Sequence, residues 1–182
     1  MATATETATK WAIDPMHSEI QFKVKHLVIS TVTGSFKSFE GTAETNSDGF
    51  EDANVSITIN TDSIDTSQPQ RDDHLKSADF FDAANFPQII FNSTSFKKTG
   101  DDQYKLVGDL TIKGVTKQVT LAAEYGGSND DFYGNTKVGF EVTGKISRKE
   151  FDLTWSGVTE AGAVVVGDEI KLLINVQFAR QK

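Results

Sequence analysis

Apolar and polar residues alternate along most of this chain, and a period of two is one that a helix cannot use. In EIQFKVKH, Ile20, Phe22, Val24 and His26 share one face, and Glu19, Gln21, Lys23 and Lys25 share the other. NVSITIN repeats the pattern with Val55, Ile57 and Ile59; QIIFNSTSF follows it less cleanly from Ile89 and Phe91. YKLVGDLTIK presents Leu106, Gly108, Leu110 and Ile112, and VTKQVTLAAEY presents Val115, Val119, Leu121, Ala123 and Tyr125. KVGFEVTGKIS gives Val138, Phe140, Val142, Gly144 and Ile146; EIKLLINVQF gives Ile170, Leu172, Ile174, Val176 and Phe178. Successive side chains of a strand point to opposite faces, so each stretch reads as a strand with one dry and one wet face. GSFKSFEGTAE adds another strand, whose Phe36 and Phe39 break the parity and imply a bulge.

Turn chemistry separates these stretches. NSDG (46–49), KKTGDD (97–102), IKGVT (112–116) and GGSNDD (126–131) each fall between strands. Connections this short join antiparallel neighbours, and the strands after Pro87 read as a meander. The class is all-β, with about eight long strands whose apolar faces must be hidden. Stacking as a sandwich and closing as a barrel both achieve this. Glycines at inward positions, Gly108 and Gly144, favour a strongly bent sheet and therefore a barrel.

One region, about 61–87, lacks the alternation. Ser67 and Gln70 fit a capping box, with Pro69 tolerated in the first turn, so a short helix is expected from there to about Lys76. Asp79 is placed to cap a second turn. Pro87 cannot donate a backbone hydrogen bond and restricts Phe86. A helix carrying Leu75, Phe80, Phe81 and Phe86 suits a plug for one end of a barrel, with its charges solvated or paired. The alternative makes Arg71 and His74 a polar clamp at a pocket mouth, since a guanidinium suits phosphate or carboxylate. A metal site from His74 with Asp72 or Asp73 is disfavoured: adjacent residues rarely converge on one ion, and no second histidine stands at helical spacing.

Composition bounds the rest. The 182 residues fit one domain spanning 1–182, with residues 1–8 expected as a flexible tail. A net charge of −8 disfavours nucleic acid and anionic lipid surfaces as partners. With no cysteine, thiolate nucleophiles and cysteine-held metals are excluded. There is no Gly-x-Ser-x-Gly and no nucleotide-binding loop, so no catalytic residue is assigned. No stretch approaches the ~20 apolar residues of a membrane-spanning helix. MATATETATKWAID has neither a basic n-region nor an apolar h-region, so a cytoplasmic protein is expected. A periplasmic or secreted chain that had lost its signal peptide would read the same.

Five stretches in order resemble the YceI-like family, a lipocalin-like group of lipid-binding proteins. They are WAIDPMHSEIQFKVKHLVISTVTGSF, SIDTSQPQRDDHLKSADFFDAANFPQIIF, GDLTIKGVTKQVTL, ISRKEFDLTW and VGDEIKLLI. Each is weak alone, but together they follow the family order across nearly the whole chain. Gln118 stands where members commonly carry proline. The resemblance implies a lipocalin-like, extended antiparallel barrel of about eight strands with a short helix at one end. It implies binding, storage or transport of an amphiphilic lipid, a polyisoprenoid or fatty-acyl chain, with no cofactor and with homodimers known for the fold. Two other readings compete: a stress-response or structural barrel with a closed core, and a hydrolase or isomerase using Asp72, Asp73, Asp79 or His74.

Alternation and resemblance together nominate the side chains that line the interior. They are Ile20, Phe22, Val24, Phe36, Phe39, Val55, Ile57, Ile59, Ile89 and Phe91, then Leu106, Leu110, Val119, Leu121, Phe140, Val142, Trp155, Ile170, Leu172 and Ile174. Plain core packing is the rival role for each, because side chains alone can fill a barrel of this size. Arg71, His74 and Arg148 are the candidates for meeting a head group. Arg148 could equally pair with an acidic residue to close the barrel.

Overall fold

A computed structural model describes residues 8–27, 29–46, 49–155 and 166–181. Most of the expected N-terminal tail, residues 1–7, lies outside these, as do Ser47 and Asp48 of the first expected turn. The strands are β1 (Thr9–Ile13), β2 (Glu19–His26), β3 (Ser30–Phe36), β4 (Phe39–Thr45), β5 (Asn54–Asn60) and β6 (Ile64–Asp65). After the single α-helix of the described residues, α1 (Pro69–Lys76), come β7 (Gln88–Gly100), β8 (Gln103–Ile112), β9 (Val115–Asp130), β10 (Thr136–Ser147) and β11 (Val166–Arg180).

The register joins the short strands into long staves. β1 and β2 lie end to end along β11, interrupted by a 3₁₀ turn at Pro15–His17. β3 and β4 lie end to end along that first stave, with Lys37 and Ser38 between them. β5 and β6 continue the arrangement, with the 3₁₀ turn Thr61–Ser63 between them. Three composite staves and β7 to β11 make eight, all antiparallel to their neighbours. The β1–β11 pairing, from Trp11 opposite Arg180 to Ile13 opposite Phe178, closes the ring. Closure pairs the strands around the ring, leaving an unpaired edge at β6, which bonds to β3 alone.

Local chemistry accounts for the departures from expectation. The parity break at Phe36 and Phe39 is the β3–β4 interruption, with both phenylalanines remaining on one long stave. The irregular QIIFNSTSF carries a register shift between Ser93 and Ser95, which re-aims the strand so that Phe96 as well as Ile89 and Phe91 is buried. GGSNDD is not a turn. β9 runs on to Asp130, and the Gly126–Gly127 pair meets Gly139 at a register shift instead. The turn follows at 131–134, where the Asp131 carboxylate accepts from the backbone N–H of Tyr133 (2.8 Å) and Asn135 (2.9 Å). The two inward glycines make room for lining side chains. A Cβ on Gly108 would lie 2.5 Å from Phe91 Cζ, and one on Gly144 would lie 2.3 Å from Leu121 Cδ2.

The helix forms where it was expected, but its expected cap does not. Gln68 is the N-cap and makes no side-chain cap bond, while Ser67 is left-handed at φ 66°. Asp72 ties down the start of the helix instead, accepting from Thr66 N–H (2.9 Å) and the Thr66 hydroxyl (2.5 Å). Asp79 caps nothing; it accepts from His74 Nε2 at 2.9 Å.

Candidate functional site

The dry faces of the staves do not meet in the middle. They enclose a cavity of about 230 Å³, whose wall is almost wholly carbon from β1 to β5 and β7 to β11. For scale, an engineered apolar cavity of ~150 Å³ stays dry and admits benzene. All the expected lining residues except Phe39 and Trp155 form this wall. These residues follow the alternation; Gln21, which the alternation put on the wet face of β2, also reaches the cavity. Phe39 sits where a stave restarts after Lys37 and Ser38, and packs partly buried against the core from there. Trp155 lies beyond the strands and packs on His74 and Phe80, with ring centroids at 5.1 and 5.2 Å. His26, at the end of β2, lies outside the wall.

One end of the cavity is closed by rings. Trp11, Phe50, Phe96, Tyr104, Tyr125 and Phe140 gather there, with Phe96 stacked on Tyr104 at 4.6 Å and Phe50 edge-on to Phe140 at 5.2 Å. Trp11 Nε1 donates to Thr45 Oγ1 at 3.2 Å, and Arg180 lies 5.7 Å over the indole. Outside this end, Asp14 accepts from Lys137 Nζ at 2.6 Å and meets His17 Nδ1 at 2.8 Å. The hydrogen bond from Lys137 holds the Asp14 carboxyl down at about 2 against its ordinary 3.8. Phe50 escaped the alternation because it follows a turn and is flanked by polar residues. An isolated aromatic in GFEDA, too apolar for an exposed turn, was the available signal.

The other end is closed by α1, the segment after it, and the 3₁₀ turn Arg148–Phe151. Leu75, Phe80 and Phe81 face the cavity, and Phe151 is fully buried beneath them. Among the described residues Arg148 is the one charged residue in the cavity wall, and it is only 3% exposed. Its Nε donates to Gly167 O (2.8 Å), its Nη1 to Leu153 O (2.6 Å) and Trp155 O (2.7 Å), and its Nη2 to Val166 O (3.2 Å). Burial pushes the Arg148 pKa below its ordinary value, and nearby Asp168 pulls it back up. Among the described residues no carboxylate lies within ion-pair distance of it. Its partners are thus backbone carbonyls rather than the acidic residue that was one of its two expected partners. Asp168 accepts instead from Ser147 Oγ (2.6 Å) and Lys149 N–H (3.1 Å), which keep its carboxyl below the usual range.

The other two head-group candidates lie outside the wall. Arg71 donates from Nε to Thr66 Oγ1 and from Nη2 to Thr66 O, both at 2.7 Å, and so braces the entry to α1. His74 pairs with Asp79 and packs edge-on against Phe80 and Trp155. Asp72 is committed to Thr66, and Asp73 is exposed. The stretch 71–82 thus gathers its polar groups on the outer side of the plug.

A closed antiparallel barrel around an apolar hollow, with a helix across one end, is a lipocalin-like architecture. Comparisons with known proteins narrow the class. The YceI-like domain matches residues 11–178. Protein YceI of Salmonella newport (strain SL254) is 41% identical over 182 residues, covering 99% of this chain and 92% of that protein. The crystal structure of the Campylobacter jejuni YCEI protein superposes with a TM-score of 0.74 at 35% identity, covering 88% of this chain and 91% of that one. A polyisoprenoid binding domain from Saccharophagus degradans, implicated in plant cell wall breakdown, shares the fold at TM-score 0.68 and 12% identity, covering 94% of this chain and 98% of that one. The chain belongs to the YceI-like family.

Proposed function

We propose that this protein is a non-catalytic carrier or store for an amphiphilic lipid, a polyisoprenoid or fatty-acyl chain held with its tail inside the barrel. The observation that carries this reading is the composition of the wall around about 230 Å³ of space: apolar residues throughout, apart from Gln21 and Arg148. A tail that enters leaves water at roughly 25 cal/mol per Å² of apolar surface, or about 0.8 kcal/mol per methylene, before ordering costs. No polar group on the tail is needed, so selection acts on length and girth. The polyisoprenoid-binding relative of the same fold supports this choice of ligand class. Catalysis needs polar groups converging on a reacting atom, and the one titratable side chain in the wall among the described residues has its guanidinium engaged by four carbonyls.

The polar end of the ligand lies toward Arg148. A buried cation in a wall of carbon favours an electron-rich head, whether carboxylate, phosphate or amide oxygen. Native mass spectrometry of the purified protein, followed by organic extraction, tests the reading. The expected result is a retained chain of defined length, or uptake of an added polyprenyl lipid. A bare protein that also ignores added polyprenyl lipid and a fluorescent apolar probe would leave a structural barrel in its place.

A further inference from the structure

We propose that Phe50 is a fixed stop that sets the longest chain the cavity accepts. The inference rests on the lipid-chain reading above and adds to it a residue that measures length. In the ring of eight staves, β4 and β5 stand diametrically opposite β9 and β10. Phe50 sits on the connection between β4 and β5, yet its ring lies 5.4 Å from Tyr125 on β9 and 5.2 Å from Phe140 on β10. It also lies 5.7 Å from Trp11 on β1. Phe140 in turn lies 5.9 Å from Phe96 on β7 and 6.1 Å from Tyr104 on β8, so the rings converge within the bore and Phe50 is the one among them that comes from a connection.

Its neighbours on that connection hold it there. Ala53 N–H donates back to Phe50 O at 3.0 Å, and Asp52 N–H donates to Phe96 O at 2.8 Å. The Asp52 carboxylate pairs with Lys97, and Asp52 itself is left-handed at φ 65°. Among the described residues, Phe50 and Ala53 alone reach the ring-closed end of the wall from a connection; the other wall residues there belong to strands. Phe50 can therefore be changed without cutting the barrel ladder.

The opposite end of the measure is Arg148 and the plug beside it. From Ile170 to Phe178 the wall follows β11. At ~3.3 Å per residue and a tilt of ~35–45°, that run spans roughly 20 Å of the axis. A tail lying along it gains affinity with each added methylene, about fourfold by the transfer energy, until its tip meets the Phe50 ring.

The test is competition of saturated straight-chain fatty acids of increasing length against a fluorescent apolar probe. In the native protein the affinity climbs about fourfold per methylene and then stops climbing at one length. Phe50→Ala moves that length up by a few methylenes, Phe50→Leu moves it up by less, and Phe50→Trp moves it down. The leucine variant keeps the end covered should the alanine variant fail to fold. A length limit that stays put in both the alanine and leucine variants, with or without a uniform loss of affinity, overturns the stop while leaving the lipid reading intact. A native protein that binds no member of the series overturns both.

Discussion

The two ends of the barrel are closed by different physics. At the Trp11–Phe50 end, rings from strands and one connection cover the opening, and most of the stabilisation comes from buried area and edge-to-face contact. At the α1 end, the cover is irregular backbone whose carbonyls must be satisfied away from water. One guanidinium serves four carbonyls there, from Leu153 and Trp155 in the irregular segment and from Val166 and Gly167 at the start of β11. An area-based closure tolerates side chains of similar volume. A closure built on directed hydrogen bonds does not, however well the replacement fills space.

The sharpest way to break this comparison is Arg148→Met, which keeps the bulk and removes every donor. Four carbonyls lose their partner, Leu153 O in a buried place and the other three in part-buried ones, and the expected loss is about 3 kcal/mol in urea denaturation, with Arg148→Lys restoring only part of it. A loss below about 1 kcal/mol would mean that the cover is held by packing after all.

Acid provides a second, smaller test at the ring-closed end. Asp14 has a folded pKa of about 2 against 3.8, so its contribution is present above pH 3.8 and is lost as the pH falls toward 2. Asp14→Asn should therefore cost about 1–2 kcal/mol near neutral pH, a small remainder at pH 2 and nothing below it, read from denaturation midpoints across the acid range. A difference between the two proteins that persists at the lowest pH would place the effect in packing rather than in the Lys137 pair.

The smallest expected effect is Phe140→Leu, a swap of one apolar residue for another among four nearby rings. About 1 kcal/mol is expected from thermal melts, because neighbouring rings can settle into the space. A loss as large as that of Arg148→Met would show that the rings work through fixed geometry, and the contrast between the ends would disappear.

How much could be read from the sequence follows the same division. Wherever a strand is regular, inward and outward are fixed by parity, so Ile20, Leu106, Val142 and Ile174 were legible as wall. Parity says nothing once a stave breaks, which is why Phe39 was taken for wall and Phe96 was passed over. Ring closure between β1 and β11 joins opposite ends of the chain and leaves no local trace. Phe50 and Trp155 sit outside regular strands, where position depends on backbone hydrogen bonds made by other residues. The four carbonyls on Arg148 belong to the same category: a lone arginine announces a partner, but the sequence does not say that the partner is backbone.

The interruptions in the three composite staves lie side by side. Pro15–His17, Lys37–Ser38 and Thr61–Ser63 are neighbours across the wall, laced by Lys37 N–H to Ser63 O (3.1 Å) and Asn60 N–H to Ser38 O (2.9 Å) rather than by a continuous ladder. Facing them, β8 to β11 run unbroken. Compliance in a closed tube concentrates where its lattice is interrupted, so this barrel is stiff on one flank and pliant along a crease on the other. Any widening of the bore would therefore be taken up by yielding along that crease, with the opposite flank serving as a rigid spine.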